Sequence, residues 1–254
     1  MFDKNNADMI LPGLKPVLEV LEKSPERVAQ VYLRKGRGGG DLAKVLDICR
    51  EHGIYFSLVP DEALQRMVGK VNSQGVVARL RQGLRLDWQD LLEQGFAAPL
   101  PLIVALDQVQ DPGNLGALAR TLYALGGAGL VVPKHNSAWL GPGAMRSSAG
   151  ALDLLPVAEV TNLGVAIQDA GLAGYSIYAA TRGPGSLNPL CAKLNLPAVL
   201  VLGSEEKGIR PGVVKHCGYK LGIPFLRDFD SLNVAQAGAI LVSCFLNNLE
   251  AISN

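Results

Sequence analysis

PLIVALDQVQDPGNLGALARTLYALGGAGLVVP, Pro101 to Pro133, decides the fold. LIVAL is a short apolar run of the kind that forms a strand buried on both faces. DQVQDPGN starts as a turn, and NLGALARTLYALGG is long enough to continue as a helix. AGLVVP is a second strand. Strands alternating with helices build a mainly parallel sheet covered on both faces. One residue disturbs this reading. The helix is apolar on nearly every side, yet it carries Arg120, whose guanidinium does not readily lose its charge.

Working outward, the alternation continues toward the C-terminus. After the small-residue stretch GPGAMRSSAG come a short strand LLPV and the helix NLGVAIQDAG. YSIYAA, AVLVLG and YKLGIP read as strands, and VAQAGAILVSCFLNNLE closes the chain as a helix, whose stretch VAQAGAILVSCFL is apolar all round and therefore suited to burial on several sides. Toward the N-terminus, Gly13 to Arg85 forms a second α/β segment. GLKPVLEVLEKS, DLAKVLDICREHG and DEALQRMV are its helices, the second with an Asp N-cap and a Gly stop. VAQVYL, IYFSLV and GVVARL are its strands. DWQDLLEQGFAAPLP has mixed character and ends in two prolines, so it is expected to be a linker. The expected division is a domain over 1–85, a linker over 86–99 and a domain over 100–254.

Bulk properties limit the function. The 254 residues allow one large or two small domains, and 48% hydrophobic residues exclude global disorder. A net charge of +1 means that any nucleic-acid surface is a local patch. MFDKNNADMI shows no basic-then-apolar signal pattern, and no run approaches the length of a membrane span. Cys49, Cys191, Cys217 and Cys244 lack metal-ligand spacing, and His52, His135 and His216 do not cluster. Reduced thiols, a cytoplasmic location and no metal are expected.

GRGGGD, Gly36 to Asp41, invites a phosphate-loop reading. G-x-G-x-x-G would need Gly where Asp41 or Ala43 stands, and no G-K-[ST] follows. A flexible loop is the simpler reading. Arg34, Lys35 and Arg37 flank it and suit RNA phosphates. Arg66, Lys70, Arg79, Arg81 and Arg85 fall in a run without an acid, either a solvated face or a second basic patch.

Parallel sheets bind ligands beyond the carboxyl ends of their strands. Three such loops are rich in Gly and polar residues: DQVQDPGNLG, SEEKGIRPG and FLRDFDSLNV. They hold Asn114, Gly116 and Arg120, then Glu205, then Ser231 and Asn233. Taken singly, Asn114, Ser231 or Asn233 could be an N-cap, and Glu205 a first-turn acid facing a helix dipole.

In order, N-x-G-x-x-x-R (Asn114 to Arg120), L-V-L-G-S-E-x-x-G (Leu200 to Gly208), and Ile223-Pro224 followed by Ser231-Leu-Asn233-Val resemble the three motifs of the SpoU (TrmH-type) RNA ribose 2′-O-methyltransferases of the SPOUT superfamily. Ser148 to Ala151 resembles the family's connecting segment. GLKPVLEVL to SQGVVARL is similar to the small L30e-like RNA substrate-binding domain of many members. The layout resembles most the subgroup that methylates a guanosine ribose in large-subunit ribosomal RNA. The resemblance implies an L30e-like α/β domain followed by a SPOUT α/β domain with a deep trefoil knot, a homodimer, and S-adenosylmethionine as cofactor. It departs from the family in the bulkier, charged run Phe225 to Asp230, in Glu206 where a Gly is usual, in Ala235–Ala237 after SLNV, and in Ser73 where a His is common.

By that resemblance Leu202, Gly203, Ile223 and Leu232 hold the cofactor, with Thr181 beside them. Gly203 is expected to let the ligand approach closely, and Ile223 and Leu232 to form an apolar slot for adenine. Arg120 clamps the substrate phosphate and orients the hydroxyl. Asn114 and Glu205 position the substrate and Arg120, and Ser231 and Asn233 bond the target nucleotide. Arg34, Lys35, Arg37, Arg79 and Arg81 meet RNA. The alternatives are a transfer RNA methyltransferase of the same family, a non-catalytic RNA-binding protein, and a dehydrogenase-like nucleotide binder, which the missing G-x-G-x-x-G argues against.

Overall fold

The computed structural model describes residues 9–23, 25–36, 39–69, 71–80 and 84–253. The chain divides into two compact units, Met1–Gln82 and Gly83–Asn254.

The first unit contains β1 (Met9–Pro12), α1 (Leu14–Lys23), β2 (Val28–Arg34), α2 (Gly40–Glu51), β3 (Tyr55–Val59), α3 (Asp61–Val68) and β4 (Val76–Leu80). Its sheet has the order β1-β4-β2-β3. β2 and β3 are parallel, whereas β4 runs antiparallel to β2 and to β1. The sheet is thus mixed, not mainly parallel. β1 had no periodic signal because MILP is too short to show one. Its Pro12 is tolerated because β1 is an edge strand, where a missing N–H breaks no ladder on the far side. Val17 and Leu21 of α1 meet Val45 and Cys49 of α2 over Val31, Val76 and Ala78 of the sheet. Burial pushes the Cys49 thiol up to about 11, so it stays protonated near neutral pH.

The second unit contains α4 (Trp88–Gly95), β5 (Leu100–Asp107), α5 (Pro112–Ala124), β6 (Gly127–Pro133), α6 (Pro142–Ser147), α7 (Ala151–Leu154), β7 (Val157–Val160), α8 (Leu163–Leu172), β8 (Ser176–Ala180), β9 (Ala198–Gly203), α9 (Pro211–Val214), β10 (Tyr219–Leu221) and α10 (Val234–Ser253). Its sheet has the order β10-β8-β9-β5-β6-β7, and every pairing is parallel. The quoted stretch forms β5, α5 and β6, as its pattern requires. Both faces are covered, which is why β5 and β9 read as unbroken apolar runs. Ile103, Ala105, Val199 and Val201 pack on one face with Leu91 of α4 and Ile167 of α8. On the other face α10 comes so close that a Cβ added at Gly238 would lie 2.5 Å from Leu118 and 2.9 Å from Leu202.

Three expectations change. Residues 86–99 are not a bare linker: α4 lies there, and its Leu91 and Leu92 are buried in the core of the second unit. GPGAMRSSAG holds the helix α6, and LLPV is the end of α7 with the start of β7, since small residues and a proline hide both elements from a periodicity reading. α10 is not apolar all round, because Gln236, Ser243 and Asn247 are exposed along one stripe. Cys49, Cys191, Cys217 and Cys244 are all free. Among the described residues no helix is long and apolar enough to cross a membrane, and no group of three or more His, Cys, Asp or Glu is placed to hold a metal.

Candidate active site

Because the strands are parallel, the loops after β5, β9 and β10 emerge at one edge of the sheet. Glu205 Oε1 accepts hydrogen bonds from Asn114 Nδ2 (3.3 Å), Asn233 Nδ2 (3.1 Å) and the Val234 amide (3.0 Å). Asn233 Nδ2 also donates to Asn114 Oδ1 at 2.8 Å. One residue from each loop thus meets the other two. The bland readings are partly right. Asn233 does cap α10, since its Oδ1 accepts from the Ala235 amide at 2.9 Å. Glu205 does face a helix N-terminus, but that of α10, reached from another loop. Asn114 is no cap: Asp111 caps α5 and accepts from the Asn114 amide at 2.7 Å. This leaves the Asn114 side chain for the hub. Among the described residues, Glu205 Oε2 accepts no hydrogen bond.

Beside the hub lies a cleft of about 150 Å³ at the carboxyl ends of β8, β9 and β10. Thr181, Leu202, Gly203, Ile223 and Leu232 all line it, together with Glu205 and Ser231. Leu202, Leu221 and Leu241 give it an apolar interior, while Thr181, Ser204 and Ser231 supply polar groups at its walls. That composition suits a nucleoside, an apolar ring with a polar sugar. The expected reason for Gly203 is corrected. A Cβ there would lie 2.2 Å from the Gly208 carbonyl carbon and 2.4 Å from Ile209 N, so the glycine makes room for its own loop returning, not for a ligand.

An ion pair between a buried carboxylate and a half-exposed guanidinium fixes that loop. Asp107, fully buried at the end of β5, accepts from the Arg210 amide at 2.7 Å and from Arg210 Nε at 2.8 Å, with Nη2 2.6 Å away. Gln108 Nε2 adds a bond to Gly208 O at 3.3 Å. Glu205 is therefore held from both sides. Neither Asp107 nor Arg210 belongs to the three motifs, and only the fold shows their partnership. Asp107→Ala removes both acceptors and leaves the Arg210 amide unpaired. It is expected to cost about 2–4 kcal/mol, read as a lower midpoint in urea unfolding at unchanged slope. A wild-type midpoint would show that the pair contributes nothing to holding the loop.

Arg120 stands apart. It is exposed on α5 and makes no hydrogen bond or ion pair with any described residue. It does not line the cleft. Six residues beyond Asn114, it projects about 120° around the helix from it. The helix is thus not built for burial at this position. Gly116, between them, admits α6: a Cβ there would lie 2.3 Å from Ala144 O. In the first unit Arg34 and Lys35 are exposed at the end of β2, with Arg34 Nη1 3.6 Å from Asp61. Arg79 is half-buried on β4. Lys70, Arg37 and Arg81 lie outside the described residues.

Of the lining residues that escaped the sequence reading, two carry a charge or an aromatic ring. Arg182 follows Thr181 at the end of β8, and Phe225 begins the atypical run after Ile-Pro. The available signal was adjacency, since each lies within two residues of a position already chosen.

Comparison with known proteins accords with this geometry. Residues 101–243 match the model of the SpoU rRNA Methylase family, and residues 10–83 match that of the RNA 2'-O ribose methyltransferase substrate binding domain. The chain is 33% identical over 228 residues to the 23S rRNA (guanosine-2'-O-)-methyltransferase RlmB of Haemophilus influenzae, covering 90% of this chain and 93% of that one. Among solved structures it resembles a putative RNA methyltransferase of the TrmH family from Porphyromonas gingivalis (TM-score 0.64, 26% identity, 93% and 88% of the two chains). It also shares the fold of the SpoU methyltransferase AviRb from Streptomyces viridochromogenes in complex with AdoMet (TM-score 0.66, 24% identity, 97% and 91%).

Proposed function

The chain belongs to the SpoU rRNA methylase family, and we propose that it transfers a methyl group from S-adenosylmethionine to a ribose 2′-hydroxyl of RNA, with a guanosine of large-subunit ribosomal RNA as target. The observation that carries this is the joining of Asn114, Glu205 and Asn233 from three loops beside a cleft with an apolar interior and polar walls. A lone cap or a lone dipole partner has no need of the other two. The name of the Haemophilus relative supports the choice of a ribosomal guanosine.

When bound, S-adenosylmethionine supplies a sulfonium methyl whose departure needs no further activation. The protein's task is therefore alignment and removal of a proton. Leu202, Ile223 and Leu232 hold the adenosine, with Gly203 and Thr181 beside it. Asn114 and Asn233 fix Glu205, and its uncommitted Oε2 is an acceptor for the ribose hydroxyl at the edge of the cleft. Ser231 bonds the target nucleotide. Arg120, being exposed and without a partner among the described residues, is free to clamp a substrate phosphate. It does not act as base, because phosphate contact stabilises the charged guanidinium. Arg34, Lys35 and Arg79 contribute RNA contacts from the first unit. We further propose a homodimer of the second unit, supported by the half-exposed Ile240, Leu246 and Leu249 on α10. The family's trefoil knot is proposed for the C-terminal part of that unit.

The test is transfer of labelled methyl from S-adenosylmethionine to unmodified large-subunit ribosomal RNA, with transfer RNA alongside. Label on ribosomal RNA at a guanosine 2′-oxygen is expected. Label on transfer RNA alone would keep the chemistry and overturn the target, and S-adenosylmethionine that fails to bind would overturn the function.

A further inference from the structure

We infer, resting on that function, that Arg182 is a positioning residue: its guanidinium latches the 225–230 loop across the cofactor cleft and sets how tightly the cofactor is held. This loop is one of the places where the sequence departs from the family it resembles. Its tip is not held by burial, since Leu226 is 99% and Phe229 67% exposed. Nor is it held by its own backbone. Among the described residues no backbone-to-backbone hydrogen bond involves residues 223–232.

Arg182 supplies the missing fastening. Its Nη1 donates to Phe229 O at 3.1 Å and its Nη2 donates to Asp230 O. Its Cζ stands 4.2 Å from the centroid of the Phe225 ring, the position of a cation–π contact. Arg182 and Phe225 both line the cleft. One side chain therefore grips the loop at both ends, at the aromatic wall and at the carbonyl that precedes Ser231. The planar guanidinium is suited to this, because two parallel N–H groups can serve adjacent carbonyls while its face covers a ring. An ammonium is a point donor and cannot do both. Without the latch, residues 223–232 keep no other hydrogen bond among the described residues, so the wall formed by Phe225, Ser231 and Leu232 is left to be ordered by the ligand. That ordering subtracts from binding.

The experiment compares the full-length protein with Arg182→Ala and Arg182→Lys in three readouts: calorimetric binding of S-adenosylmethionine, amide hydrogen exchange over residues 225–232 without ligand, and the thermal midpoint. Arg182→Ala is expected to raise Kd by about ten-fold, equal to about 1.4 kcal/mol, and to speed exchange in the loop while the midpoint stays close to wild type. In turnover the KM for cofactor should rise by more than kcat falls. Arg182→Lys should lie between. A wild-type Kd in Arg182→Ala, or a fully restored one in Arg182→Lys, overturns the latch. If the unmodified protein does not bind S-adenosylmethionine, the function is wrong. Loop exchange in the same two proteins still reads the latch on its own, and unchanged exchange overturns it.

Discussion

Arg120→Ala is expected to lower methyl transfer by about 10²–10³-fold, the usual effect of removing one preorganised charged donor, while the Kd for S-adenosylmethionine stays unchanged. The two halves of this expectation come from one fact. Arg120 is exposed, has no partner among the described residues, and stands outside the cleft proposed for the cofactor. A cation that held the cofactor would line that cleft, and one that held the fold would be paired. What remains is a cation kept available for substrate. Arg120→Lys separates the two roles an arginine can have. If Arg120 clamps phosphate, the lysine variant keeps part of the activity, with no new dependence on pH below the lysine pKa of about 10.4. If Arg120 were the base, lysine loses its proton more easily, and activity in that variant would climb toward high pH. Such a climb, or near-full activity in Arg120→Ala, overturns the clamp.

The second unit was legible in the sequence because a parallel sheet buried on both faces writes itself as unbroken apolar runs. LIVAL, AGLVVP and AVLVLG became β5, β6 and β9. The first unit was less legible. β1 is four residues long and ends in proline, and no local pattern shows that β4 pairs antiparallel with both neighbours. The site divides the same way. The residues that meet in the hub stand in three motifs that can be read in order, yet their bonds cannot be, because Asn114 lies 91 positions from Glu205 and 119 from Asn233. Asp107 and Arg210, 103 positions apart, carry no motif at all, and only burial of Asp107 makes their pairing necessary. The wrong reason given for Gly203 has the same origin. A sequence shows that a Cβ is absent but not which atom takes its space.

Glu205→Ala is expected to lower kcat by about 10²-fold, because misplacing reacting groups by about 1 Å costs that much. The alanine leaves Asn114 Nδ2, Asn233 Nδ2 and the Val234 amide without their shared acceptor, so the loops after β5 and β10 keep only the direct Asn233–Asn114 bond and lose their tie to the loop after β9. The loss of stability should be small, about 1 kcal/mol or less, since these groups are near the surface and water can replace the carboxylate. Activity, not folding, is therefore the informative readout. Glu205→Gln tells positioning from proton transfer. Glutamine retains an oxygen for all three donors, so a purely positioning Glu205 predicts activity within about ten-fold of wild type. If Oε2 takes the ribose proton, Glu205→Gln falls nearly as far as Glu205→Ala, because an amide is a poor base. A cycle with Asn114→Ala tests the hub itself. Residues that act as one unit are non-additive, so the double variant should lose hardly more activity than Glu205→Ala alone. Losses that simply multiply would mean that Asn114 and Glu205 act separately and that their 3.3 Å contact does no work in catalysis.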